Sequence, residues 1–359
     1  MTNKNTNSYF AYSNTCYGFL DYFENILECN NIEKIYKIKN CGDKNFLNEI
    51  AQTASKKYFI EYFLNPCNLD CVDCIIIKEL KTAVIAENSG KHFSFEEYPL
   101  IIENTIDFSQ FYDERKLIEG KKEIISLIAK RNEYNNLTQK FLKAANELSE
   151  NTIKLSQKYL YHEKINSAID RLADKYVSEK TLQQNGNKNF INEYKFINRF
   201  PAFGFNELGA FENDADKIFF ISNENFSGSL YTEKILGKFS HLCKVICPDA
   251  INPDKAHAVY IKDFKILFVI KDKNPDKIYG EKYNFINMDR FINHNFKREN
   301  KQKLRFINKC YKSLIDEAEI YFKEKEKTNT ILDGIYTSAI INAKEKAKYM
   351  ESIVKKIFP

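Results

Sequence analysis

Glu33-Lys34-Ile35-Tyr36-Lys37-Ile38 is a short run of β-branched and aromatic residues, and it returns as Asp216-Lys217-Ile218-Phe219-Phe220-Ile221. Such a run reads as a buried strand. Each is followed by a polar loop and an amphipathic stretch, 46–55 and 230–239, then by second strands at 57–64 and 242–246 and later ones at 80–86 and 265–270. Strands alternating with helical patterns predict an α/β fold with a mostly parallel sheet and crossover helices. Two further stretches repeat in the same order. Phe10-Ala11-Tyr12-Ser13-Asn14-Thr15-Cys16-Tyr17-Gly18-Phe19 runs against 201–210, so that Ala11 meets Ala202 and Gly18 meets Gly209. Ile77-Lys78-Glu79-Leu80-Lys81 meets Ile261-Lys262-Asp263-Phe264-Lys265. Matches in one order predict a duplicated α/β unit.

A chain of 359 residues is long enough for two such domains. Gln183-Gln184-Asn185-Gly186-Asn187-Lys188 is the most linker-like stretch and sets the expected domains at 1–184 and 185–359. Each α/β part leads into a helical arm, about 114–180 in the first half and about 298–359 in the second. In the first arm Tyr134, Leu137, Phe141, Ala144 and Leu148 step by three and four, which predicts a coiled-coil-like seam. The arms are therefore the expected surface for a protein partner or for self-association. Against 49 acidic residues stand 54 Lys and Arg, well short of the basic excess that neutralising a phosphate backbone requires, so nucleic acid is not an expected partner. No run approaches the ~20 apolar residues of a membrane span, and the start lacks a signal core, which predicts a cytoplasmic protein. The nine Cys form no repeating framework and are expected as thiols.

A tight loop between a strand and a helix is where backbone amides receive phosphate, in the motif G-x-x-x-x-G-K-[ST]. The first-half loop is Asn40-Cys41-Gly42-Asp43-Lys44-Asn45, which keeps Gly42 and Lys44, puts Asp43 where the second glycine stands, and has Asn45 at the Mg²⁺-hydroxyl position. The second is Asn223-Glu224-Asn225-Phe226-Ser227-Gly228-Ser229-Leu230, which keeps Gly228 but has Ser229 for the lysine and Leu230 for the hydroxyl.

These features, with Leu69-Asp70-Cys71-Val72-Asp73-Cys74-Ile75-Ile76-Ile77-Lys78-Glu79-Leu80-Lys81, resemble a bacterial family of tandem P-loop ATPase-like proteins. That segment is similar to the family's S-L-D-x-V-I-I-P-E-L-K, with Asp73, Ile76, Ile77, Glu79, Leu80 and Lys81 agreeing. The resemblance implies two tandem P-loop NTPase-like domains, each with a helical arm, and a nucleotide site drawn from Gly42, Lys44, Asn45, Asp73, Glu87, Gly228 and Ser229. The family's later strand ends in an Asp, in I-V-D-G-T-A-P-H; that Asp falls on Ala86, with Glu87 beside it, and on Lys271 in the second half. Phosphoryl transfer rests on positioning and on charge stabilisation by Lys and Mg²⁺. With these groups lost, the expected function is a non-catalytic scaffold or regulator that binds ATP or another nucleotide at most weakly, in the first half. An active ATPase or nucleotide kinase with a divergent loop is the alternative, with Lys44 on phosphate and Glu87 or Asp73 aiding Mg²⁺.

Cys67, Cys71 and Cys74 have the C-x₃-C-x₂-C spacing that resembles radical S-adenosylmethionine enzymes, which implies an iron–sulfur cluster as a second alternative. Cys74 runs directly into Ile75-Ile76-Ile77, a strand rather than a helix. His241, Cys243, Cys247 and His257 are of types that zinc accepts, and a half-buried strand explains them equally well.

Overall fold

The computed structural model describes residues 8–43, 45–87, 102–176, 192–201, 207–271 and 280–358. In chain order the first half gives β1 (Ser8–Tyr9), β2 (Tyr12–Thr15), β3 (Gly18–Asp21), α1 (Phe23–Cys29), β4 (Lys34–Lys39), α2 (Phe46–Ala54), β5 (Ile60–Asn65), β6 (Asn68–Ile77), β7 (Thr82–Glu87), β8 (Glu103–Asp107), α3 (Glu114–Glu119), α4 (Lys121–Gln157) and α5 (His162–Tyr176). The second gives β9 (Glu193–Tyr194), β10 (Lys217–Ser222), α6 (Gly228–Lys238), β11 (Lys244–Pro248), β12 (Ala256–Ile261), β13 (Ile266–Lys271), β14 (Tyr283–Ile286), α7 (His294–Ser338) and α8 (Ala343–Ile357).

The fold is α/β. The first sheet has the order β1-β5-β6-β7-β4-β8 and the second β9-β11-β12-β13-β10-β14. In each, one strand, β6 or β12, runs antiparallel to both neighbours, and the other adjacent pairs are parallel. Strands β4 and β10 lie inside their sheets, next to the edge strands β8 and β14, and residues on both faces of each are buried, including Lys37 of β4, which pairs with Glu103 at 2.8 Å. One turn appears in both sheets. After β6 and β12 a single 3₁₀ turn ends on a left-handed lysine, Lys81 (φ 48°) and Lys265 (φ 51°). The Lys81 carbonyl accepts the amides of Glu33 (2.8 Å) and Lys34 (3.1 Å), and the Lys265 carbonyl those of Asp216 (2.7 Å) and Lys217 (3.3 Å). A left-handed non-glycine residue costs roughly 1–2 kcal/mol, and these paired bonds to the starts of β4 and β10 offset it.

Strand pairing corrects one internal match. Ile60 and Lys244 are equivalent because they face Ile77 and Ile261, and two residues on, Tyr62 pairs with Ser8 and Ile246 with Tyr194. Ser8 is thus equivalent to Tyr194, so the second copy begins earlier than the match of 10–19 with 201–210 places it. Of that match, Ala202 lies outside the described residues.

The chain divides into two compact units, and neither is a continuous half. The first comprises Met1–Tyr12, Asp21–Thr138 and Glu319–Pro359; the second comprises Ser13–Leu20 and Gln139–Ala318. A cut near residue 184 does not follow these units, because each sheet is packed by a terminal helix from the other half of the sequence. In the first unit Ile353 and Ile357 of α8 join Phe46, Ile50, Ile75 and Phe108 in one core. In the second, Ile165 and Ile169 of α5 join Phe219, Tyr231, Ile235 and Phe268. Each such side chain contributes about 1.5–3 kcal/mol by burial. The same short antiparallel bridge leads into both helices. Tyr112 pairs with Ile340, and Leu160 with Ile292. The Asp113 amide reaches the Ala339 carbonyl at 2.7 Å and the Ile341 amide that of Phe111 at 2.8 Å. Correspondingly, the Asn293 amide reaches the Tyr159 carbonyl at 3.0 Å and the Tyr161 amide that of Phe291 at 2.8 Å.

Along α4 Thr138, Leu142, Ala145, Ser149, Thr152 and Ser156 form a buried seam in alternating steps of four and three, with Asn146 and Ile153 buried beside it and Ile124 nearer the helix start. This seam lies one residue on from the expected one; Ala144 is exposed, and Tyr134, Leu137, Phe141 and Leu148 are half-buried flanks. Mostly small side chains occupy it, which lets a neighbouring helix come close. In the first unit Tyr134 meets Tyr321 of α7 with ring centroids 6.5 Å apart, and Lys325 donates to Asn135 at 3.4 Å. In the second, Ile153 and Leu304 share the core. Among the described residues no helix is long and apolar enough to cross a membrane.

Candidate functional site

The loop between β4 and α2 lies at the carboxyl end of a parallel strand inside the sheet, and open α/β sheets take ligands at such strand ends. Gly42 turns it with φ +66°. A Cβ there would stand 3.0 Å from the Tyr112 hydroxyl and 3.3 Å from Ile340 Cδ1. Glycine is needed for the backbone angle and for the space. The Tyr112 hydroxyl donates to the Asn40 carbonyl at 2.8 Å, and Asn40 Nδ2 donates to Asp107 at 3.0 Å. At the helix start, the Asn45 amide donates to Asp43 Oδ1 at 2.9 Å and the Phe46 amide reaches the Asp43 carbonyl at 3.4 Å. Asp43 therefore sets a carboxylate of the chain itself against the amides that a phosphate would use. Lys44 lies outside the described residues.

Lys346 of α8 closes the loop from above. It is 8% exposed and makes no ion pair among the described residues. Its ammonium is 4.0 Å from the point that a Cβ on Gly42 would occupy and 5.9 Å from the centre of the Phe108 ring. Burial pushes the Cys41 thiol up to about 11, with Lys346 pulling the other way, and burial pushes the Tyr112 hydroxyl up to about 12. Both stay protonated at neutral pH. Lys346 and Tyr112 stand far from the loop in sequence and were not among the expected site residues. One signal was legible: Lys346 shares a helical face with Tyr349, Met350, Ile353 and Ile357, so a cation sits on an apolar stripe.

The loop after β10 is more closed. The Gly228 amide donates to Asn223 Oδ1 at 3.1 Å. A Cβ on Gly228 would lie 3.0 Å from that oxygen, 3.2 Å from Ile270 Cγ1 and 3.2 Å from the Ser222 carbonyl. Ser229 is buried and donates to the Phe226 carbonyl at 2.9 Å. Space for even one methyl is lacking.

Glu87 ends β7 opposite Lys39 of β4, the residue from which the first loop departs, so that strand end holds Gly42, Asn45 and Glu87. Asp73 is committed within β6: Tyr12 donates its hydroxyl to Oδ2, and Asn65 donates to Oδ1 at 3.2 Å. Burial, and then the charge of Asp73, hold the Tyr12 phenol well above its ordinary value.

The cysteine spacing does not make a metal centre. Among the described residues no three His, Cys, Asp or Glu side chains group so as to hold a metal ion, and Cys67, Cys71 and Cys74 are all described. Cys74 is fully buried on β6, and burial drives its thiol well above the ordinary value, opposite to what a thiolate ligand needs. Asn68 Nδ2 approaches the Cys71 sulfur at 3.1 Å. His241, Cys243, Cys247 and His257 form no such group either; His257 instead meets Glu207 at 2.6 Å.

No protein-family model, no curated protein and no solved structure matches this chain.

Proposed function

We propose that this protein is a degenerate P-loop-type protein that works as a non-catalytic scaffold or regulator, with at most weak nucleotide binding in its first half. One observation carries the reading: helix-start amides of both loops are occupied by the chain's own oxygens, those of Asp43 and Asn223. A nucleotide entering the first loop has to displace Asp43 and tolerate its charge, while Lys346 and Lys44 offset part of that cost. Hydrogen bonds to charged groups are worth roughly 1.5–3 kcal/mol each, and the loss of several leaves a dissociation constant above about 100 μM. Helical arms, with outward Phe306, Ile320 and Ile331, are the surfaces such a scaffold offers to a protein partner or another copy.

Calorimetric titration with ATP, with and without Mg²⁺, tests this. Weak binding that depends little on Mg²⁺ is expected. Lys44→Ala abolishes it, Ser229→Ala leaves it unchanged, and Asp43→Ala strengthens it by about tenfold, the value of one freed charged contact. Tight Mg²⁺-dependent binding that survives Lys44→Ala overturns the proposal. The placement of Glu87 at the same strand end favours a second reading, an ATPase with a divergent loop; turnover of ATP in the range of about 1–1,000 s⁻¹ decides for it.

A further inference from the structure

The first turns of α7 concentrate positive charge. Between His294 and Lys312 there are seven Lys and Arg against the single Glu299, although the whole chain has only five more basic than acidic residues. Arg298, Lys301 and Arg305 step by three and four, so they project from one face of the helix. That face lines an open groove of about 420 Å³ within the second unit, formed by α7 with Leu304 and Asn308 and by Asn225 from outside the helix. Asn308 Nδ2 donates to Asn225 Oδ1 at 3.0 Å, and Asn225 is held left-handed at φ +52°. Lys297, at the groove's edge, is engaged by Glu224 and Asp289. Arg298, Lys301 and Arg305 make no ion pair among the described residues.

From this geometry we propose that the groove binds a compact polyphosphate, a small molecule carrying two or three linked phosphate groups. Two guanidinium forks match phosphate oxygens in pairs, and the lysine between them adds a point charge. Their spread along the helix, about 10 Å at 1.5 Å per residue, suits several linked phosphates rather than one. The volume falls within the small-molecule range of roughly 300–1,000 Å³. Glu224 and Asp289 engage Lys297 and do not line the groove, so its uncompensated charge is that of Arg298, Lys301 and Arg305. The site uses none of the helix-start amides at Gly42 or Gly228, so it stands or falls apart from the loop reading above.

Inorganic tripolyphosphate is the probe, titrated into the full chain by calorimetry at low and raised ionic strength. Saturable binding that weakens with salt is expected. Replacing Arg298, Lys301 and Arg305 together by Ala weakens it more than about a hundredfold, since each charged contact is worth about tenfold or more. Arg305→Gln alone weakens it by about tenfold, while Lys303→Ala, on the opposite face, leaves it unchanged. The replaced side chains are exposed, and circular dichroism verifies the fold of each variant. Absence of binding at low salt, equal binding by the triple variant, or equal loss in Lys303→Ala overturns the proposal. So does preferential binding of a single-stranded oligonucleotide over tripolyphosphate. Because ATP also carries linked phosphates, the loop is titrated in the triple variant, where any ATP binding that Lys44→Ala abolishes belongs to the loop; tripolyphosphate binding that Lys44→Ala keeps and the triple variant loses belongs to the groove, which separates a failure here from a failure of the loop reading.

Discussion

Glu193 is the carboxylate whose surroundings give the clearest pH signature. It is 3% exposed, with Lys195 at 2.6 Å from one oxygen and Lys262 at 2.6 Å from the other. Burial alone raises such a carboxyl, but the two ammonium groups win and hold it at about 2, below its ordinary 4.5. Because the folded value lies below the unfolded one, the stabilisation is full above about pH 4.5 and is lost as the pH falls toward 2. The ceiling is about 3 kcal/mol at 1.36 kcal/mol per unit. Urea midpoints followed from pH 6 to pH 3 test this. Wild type should lose stability across the window, whereas Glu193→Gln, weaker at neutral pH because Lys195 stays buried, should show a shallower loss. Parallel curves would remove Glu193 as the cause. Nothing in the sequence at 193–195 distinguishes this pair from a solvated one, because burial comes from β11, far along the chain. Gly42 is the opposite case: a glycine in a short loop with Asn40 and Asp43 after a strand announces a tight turn, and the turn is there.

Strands with β-branched and aromatic runs were legible as elements. The expected 34–38 and 217–221 became β4 and β10, and the expected helices at 46–55 and 230–239 became α2 and α6 within a residue or two. In both halves the antiparallel strand was harder to read. β6 begins with Asn68-Leu69-Asp70, whose polar residues read as loop, and its register shifts against β5 between Phe63 and Leu64 break the alternation. The α4 seam was misplaced by one residue because the large apolar side chains lie beside it and Thr, Ala and Ser lie in it. Helices α5 and α8 have apolar faces visible in the sequence, but a face says only that something covers it. Packing supplies the consequence. Ile353 is 3% exposed in the core beside Phe46 and Phe108. Ile353→Ala should cost about 2–5 kcal/mol, and Ser352→Ala, on the exposed side of the same turn, less than about 0.5 kcal/mol. Chemical denaturation followed by circular dichroism reads both; equal effects would show that α8 does not complete that core.

On the scale of the whole molecule, the two units share out the helices in a way that makes the halves of the sequence interdependent. Fragment 1–184 carries the first sheet but not Ile353 and Ile357, which fill its core; fragment 185–359 carries the second sheet but not Ile165 and Ile169. Loss of two buried isoleucines, at about 1.5–3 kcal/mol each, is a large fraction of the whole stability of a typical domain, about 5–15 kcal/mol. Neither fragment is therefore expected to fold cooperatively alone. Each should retain helix in the far ultraviolet, bind a hydrophobic dye, and melt without a sharp transition. Mixed in equal amounts they should form a one-to-one complex by size-exclusion chromatography and regain a cooperative melt, because the missing helix of each is present on the other. If either fragment folds alone with a sharp transition and no dye binding, the helices α5 and α8 are accessory to the sheets they cover, and the division of the chain reverts to a cut near residue 184.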